Sequence, residues 1–170
     1  MNRTDLWPLI LLVLVGVGCS SSERMGNHCD LVEELVLLTS PSALNLDDQP
    51  GVDGFTARVY ARCSHQATGM ELRQGSLEIE LHDGIHRSVS SNMTPQKVWS
   101  FTAQEMTKHR TESILGVGYF FVVRWDAKAV RGSDVTVRVR YKNASTGQTA
   151  VSAPLSLAVR VKRVHGVTGS

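Results

Sequence analysis

The stretch DVTVRVRYKN, residues 134–143, decides the fold. Val135, Val137, Val139 and Tyr141 alternate with Thr136, Arg138, Arg140 and Lys142. Successive side chains of a strand point to opposite faces, so this pattern sets one apolar face against one polar face. The same period returns three times. In FTARVYARC (55–63), Phe55, Ala57, Val59, Ala61 and Cys63 share a face. In SLEIELHDG (76–84), Leu77, Ile79 and Leu81 oppose Glu78, Glu80 and His82. In LSLAVRVKR (155–163), Leu155, Leu157, Val159 and Val161 do the same. Alternation of this kind, rich in β-branched residues and bounded by turn signals, indicates half-buried antiparallel strands.

Two further segments extend the sheet. GVGYFFVVRWD (116–126) is more uniformly apolar and is the expected central strand. ELVLLTSP (34–41) fits a strand or a helix; a strand is favoured because Pro41 and a loop follow at once. One helix is expected, from about Ala103 to His109. Thr102 stands three residues before Glu105 in FTAQEM, the spacing of a capping box in which each side chain satisfies the other's free backbone N–H. The expected fold is therefore all-β: an immunoglobulin-like antiparallel β-sandwich of about seven strands with one short helix. An eight-stranded barrel is the other contender, disfavoured by the odd strand count.

The N-terminus carries an address. Leu6 to Val17 are apolar apart from Pro8 and Gly16. As a helix, twelve residues rise about 18 Å, too short for a hydrocarbon core of about 30 Å. A charged start, a short apolar run and small residues ahead of a cut make a secretory signal. Gly16-Val17-Gly18-Cys19, followed by SSSER, resembles the lipobox of bacterial lipoproteins, in which the cysteine is acylated and becomes the first mature residue. That pattern prefers Leu where this chain has Gly16. An ordinary secreted protein cut near Ser20, or an uncleaved anchor, is the plainer alternative. The expected organisation is a signal peptide over 1–18, a lipid-anchored stalk over 19–30, a β-sandwich domain over 31–163 and a tail over 164–170. Two or three acyl chains, at about 0.8 kcal/mol per buried methylene, hold such a protein to a membrane without a spanning helix. Ser20 after the cysteine, in place of Asp, fits sorting to the outer membrane facing the periplasm.

Cys29 and Cys63 are the other cysteines, and export into an oxidising compartment suggests a disulfide between them. Their numbers sum to 92, so antiparallel pairing would turn about residue 46, inside ALNLDDQPGVDG (43–54). That loop holds Asp47, Asp48 and Asp53 with Gly51 and Gly54. Carboxylates on a glycine-containing loop are what a hard cation such as calcium requires, although the spacing is not that of an EF-hand. Pro50-Gly51 and Asp53-Gly54 are equally ordinary turn dipeptides.

Charge is uneven along the chain. Residues 20–83 hold 11 acids and 4 bases, a net of −7, whereas residues 84–170 hold 4 acids and 13 bases, a net of +9. Arg138, Arg140 and Lys142 share one strand face and Arg160 and Lys162 another. On neighbouring strands these would form a basic stripe able to meet an envelope protein, an anionic lipid or a glycan partner. The alternative is that acidic and basic strands neutralise each other. Nucleic acid is an unsuitable partner for an exported protein. The six histidines (His28, His65, His82, His86, His109, His165) form no zinc signature, and no nucleophile motif is present. An enzyme is therefore not expected, unless the fold assembles a site invisible in sequence.

LDDQPGVDGFTARVYA, GSLEIELHDG, VWSFTAQEM, LGVGYFFVVRW and VTVRVRYKNASTGQTAVSAPLSLAV, taken in order over roughly residues 34–161, resemble a group of uncharacterised bacterial lipoproteins. The shared features are an Asp-rich PG-x-DG loop, a Trp-x-Phe-Thr helix start, a Gly-Tyr strand and a closing SAP. The resemblance implies a β-sandwich and an envelope location, and carries no activity. It makes Trp99 and Phe101 core residues and Thr102 a cap. The functional expectation is a non-enzymatic binding or structural module on the membrane surface. A calcium- or glycan-binding module using the Asp47–Asp53 loop is the alternative.

Overall fold

The computed structural model describes residues 31–126, 130 and 132–159. Ten strands and one helix follow one another: β1 (Glu34–Thr39), β2 (Gly54–Cys63), β3 (Gln66–Met70), β4 (Ser76–Asp83), β5 (Lys97–Thr102), α1 (Ala103–Thr107), β6 (Arg110–Ser113), β7 (Gly116–Arg124), β8 (Asp134–Lys142), β9 (Thr149–Val151) and β10 (Leu155–Ala158). They form two five-stranded sheets. Sheet I runs β1-β2-β3-β7-β6, with β2 also paired to β7; sheet II runs β10-β8-β4-β5, with β9 beside β8. Over the described residues the chain is thus an all-β sandwich with one short helix, built from ten strands and not about seven.

The alternating segments become β2, β4, β8 and β10, and their apolar faces meet between the sheets. Phe55, Ala57 and Val59 of β2 are fully buried, as are Leu77, Ile79 and Leu81 of β4 and Val135, Val137 and Val139 of β8. β7 is central, paired with β2 on one side and β6 on the other. Trp99 and Phe101 pack against the core, Trp99 meeting Phe55 edge-on at 6.1 Å and Phe101 meeting Phe121 at 4.5 Å. Each such pair adds about 0.5–1.5 kcal/mol beyond its buried area.

The two sides of the sandwich close differently. On one side the capping box starts α1: the Thr102 hydroxyl accepts from the Glu105 backbone N–H, and the Glu105 carboxylate accepts from the Thr102 backbone N–H. Those bonds hold the Glu105 carboxyl below its usual range. The helix carries the chain from β5 to β6, and Met106 fills the core beneath it. On the other side, Leu35 of β1 bridges to Ser152. The SAP triplet makes this possible. Between the pairs Arg140–Val151 and Val137–Leu155 the closing strand holds one residue more than β8, a bulge containing Pro154. Ser152 repairs the ladder there. Its backbone N–H donates to Val139 O, and its hydroxyl accepts from Val139 N–H at 3.0 Å.

β1 and β2 pair antiparallel through the 43–54 loop as expected, but opposed residues sum to 96. Along that register position 33 is the one that falls across from Cys63. Cys63 itself is buried at the end of β2. Cys19 and Cys29 lie outside the described residues.

Candidate functional site

Two outward faces offer themselves as sites. The first is the outer face of sheet II, where the basic stripe was expected. β4 and β8 pair so that Glu80 lies across from Arg138 and His82 from Thr136, all pointing away from the core. These side chains are nonetheless buried: Glu80 is 3% exposed, His82 1%, Thr136 0% and Arg138 6%. The connection from β4 to β5, residues 84–96, lies across them. Thr136 Oγ1 donates to Gly84 O at 2.8 Å and accepts from His86 N–H at 2.9 Å. Arg138 Nη1 donates to Val89 O at 2.7 Å, and Gln96 N–H donates to Leu81 O at 2.7 Å.

Under this cover one carboxylate holds two arginines. Glu80 Oε2 accepts from Arg138 Nε at 2.7 Å, with Arg138 Nη2 at 2.5 Å, while Arg140 Nη2 lies 3.0 Å from Oε1. The expected stripe therefore does not form as a solvent face. β10 does lie beside β8. Yet Arg138 is buried in an ion pair and Arg140 is tied to the same carboxylate, leaving Lys142 exposed. Arg160 and Lys162 lie outside the described residues. Strand alternation gave the side on which Arg138 projects correctly; a covering segment made that side dry. Acidic and basic strands neutralise each other here.

His82 completes the cluster. Its Nε2 lies 3.3 Å from Glu80 Oε2, and since an ionised carboxylate only accepts, Nε2 carries the hydrogen. Its Nδ1 is buried and meets no partner among the described residues. Burial pushes the His82 imidazole below its ordinary value of 6.5; the bond to Glu80 works against this, and nearby Arg138 and His86 add to the lowering. The His86 ring stands edge-on at 6.4 Å, its Nε2 bonded to Asp83 O at 2.6 Å.

The second face is the outside of sheet I. Here the register aligns Leu38, Arg58 and Phe120 in one row, with Thr56 and Val122 in the next and Val36 and Tyr60 in the row on the other side. Leu38 is 47% exposed, Val122 52% and Phe120 36%. The Arg58 guanidinium sits 5.6 Å from the Phe120 ring centre. Tyr60 lies flat over Gly118, where a Cβ would come within 2.6 Å of the ring. Glycine at 118 is what lets the tyrosine bury itself and keeps that end of the face smooth.

The 43–54 loop is braced as a set of turns. Asp53 Oδ1 accepts from Leu46 N–H at 2.6 Å, and Asp47 Oδ1 accepts from Gln49 N–H at 2.9 Å. Leu44 exchanges backbone bonds with Gly54, and Trp125 N–H donates to Asp53 O. Asp47, Asp48 and Asp53 do not converge: among the described residues no three His, Cys, Asp or Glu side chains are grouped as metal ligands.

The buried cluster and its cover escaped the sequence reading because Glu80 and Arg138 occupy outward strand positions. One signal was available. The stretch after Asp83 is long for a link between paired strands and mostly polar apart from Ile85, Val89, Met93 and Pro95, and a link of that length is uncommon in a compact domain. Compared with protein-family models, with curated proteins and with solved structures, the chain matches none.

Proposed function

We propose that this chain is a cell-envelope lipoprotein, anchored through acylated Cys19 to the outer membrane and facing the periplasm. It works there as a non-enzymatic binding module. A Cys29–Cys63 disulfide ties the stalk to the end of β2 in this reading. The observation that carries the proposal is the outer face of sheet I, which no described segment covers and where Leu38, Phe120 and Val122 are exposed around the exposed Arg58. Arginine on an aromatic ring, surrounded by aliphatic side chains, is the composition of an interface centre, whose anchors are few and whose rim adds little energy. A folded envelope protein with an apolar, acid-rimmed surface is the partner that fits it.

The test uses the full-length protein cross-linked and purified from its native envelope. A stoichiometric partner captured by the natural chain and lost with Val122→Asp supports the proposal. A solitary protein, or a partner indifferent to Val122→Asp, contradicts the binding face. The anchor is checked separately: Cys19→Ala removes labelling by a palmitate analogue, and persistent labelling contradicts it.

A further inference from the structure

We propose that residues 84–96 form an acid-released cover, and that protonation of His82 lifts this segment from the outer face of sheet II and bares the Glu80–Arg138–Arg140 cluster. The inference concerns a surface other than the proposed binding face and does not depend on the lipid anchor.

The first support is how the cover is held. Every residue of 84–96 is half-buried or exposed, none is buried, and Ile85 is 64% exposed. No side chain of the segment belongs to the core. The hydrogen bonds that hold it among the described residues are the two of Thr136, the Arg138 bond to Val89 O, the Gly84 N–H bond to Asp134 O at 3.0 Å, and the Gln96 bond that begins the return to β5. A segment with no buried apolar anchor opens locally at low free-energy cost while the sandwich beneath stays folded.

The second support is what lies beneath. Neutral His82 fits, with Nε2–H toward Glu80 and the bare Nδ1 facing no donor. A proton added at Nδ1 creates a buried cation whose new N–H has no acceptor among the described residues. The groups around it deepen the cost. β8 contributes the Arg138 guanidinium and uncharged Thr136, the cover contributes His86, and β5 sets uncharged Val98 beside Glu80. Among the described residues Glu80 is the one acid acting on the ring, and it already holds two arginines.

Opening the cover returns His82 to water, where it takes up the proton at its ordinary value of 6.5. The open form then binds more protons than the closed form as pH falls below 6.5, so acid favours opening. The direction is fixed by His82 being held neutral when covered. By pH 5.5 the opening equilibrium rises by up to about tenfold, since each pH unit below the open-form value multiplies it by at most ten.

Amide hydrogen exchange on the full chain tests this, with rates corrected for intrinsic pH dependence. From pH 7.5 to 5.5 exchange over 84–96 accelerates severalfold relative to core amides of β7, and His82→Gln, which keeps a donor toward Glu80 and cannot titrate, abolishes the acceleration. Equal pH response in both proteins, or none in the natural chain, overturns the proposal. Should His82→Gln fail to fold, the natural protein still decides the matter. An NMR titration of the His82 ring with a midpoint below 6.5 supports the cover, and one at or above 6.5 overturns it.

Discussion

Outward positions on β2 and β7 carry Arg58, Phe120 and Val122 and remain in water, while outward positions on β4 and β8 carry Glu80, His82, Thr136 and Arg138 and are covered. Phe120 and Val122 are wet, while Glu80 and Arg138 are dry. A protein that only minimised its own free energy would cover the first face and expose the second, because burying a charge costs several kcal/mol before its partner offsets it. The inversion separates two uses of a sheet surface. The face of sheet II is satisfied internally, each arginine bound to Glu80 and the cover bonded to Thr136 and Arg138. The face of sheet I has no internal partner of comparable kind among the described residues, which is why the binding proposal rests there.

Substitutions that strike the two faces unequally sharpen this contrast. The largest effect belongs to Glu80→Ala, which leaves Arg138 buried without its carboxylate and lowers unfolding free energy by about 3–5 kcal/mol. Replacing both members, Glu80→Met with Arg138→Met, restores most of that loss in urea denaturation. A double variant as unstable as Glu80→Ala would mean the pair is not the unit. Next comes Ser152→Ala, which strips the acceptor from buried Val139 N–H and costs about 1–3 kcal/mol. The smallest effect is on sheet I: Leu38→Ser and Val122→Ser each shift stability by no more than about 0.5 kcal/mol. A shift of several kcal/mol there would show that the face is part of the core's support and not a free surface.

How much was legible in the sequence follows from what alternation encodes. Period two told which side of β2, β4, β8 and β10 faces the core, and Thr102 with Glu105 marked the start of α1 to the residue. β3, β6 and β9 carry no such pattern. QATGM, RTES and TAV are short and mostly exposed, and they are strands because β2, β7 and β8 offer them paired edges. The β1–β2 register moved from a sum of 92 to 96 because the loop's own turns, closed by Asp53 on Leu46 and by Leu44 on Gly54, set where the strands begin to pair. The cluster at Glu80 was illegible for a different reason. Alternation says which way a side chain points, and water is excluded from that side by a segment remote from Arg138 in the chain.

The most direct measurement places a photoreactive side chain at position 38, and separately at position 87 on the cover, in the full-length protein within the cells that produce it at neutral pH. The account predicts a discrete cross-linked partner from position 38 and none from position 87. A partner captured from position 87 with nothing captured from position 38 would contradict it.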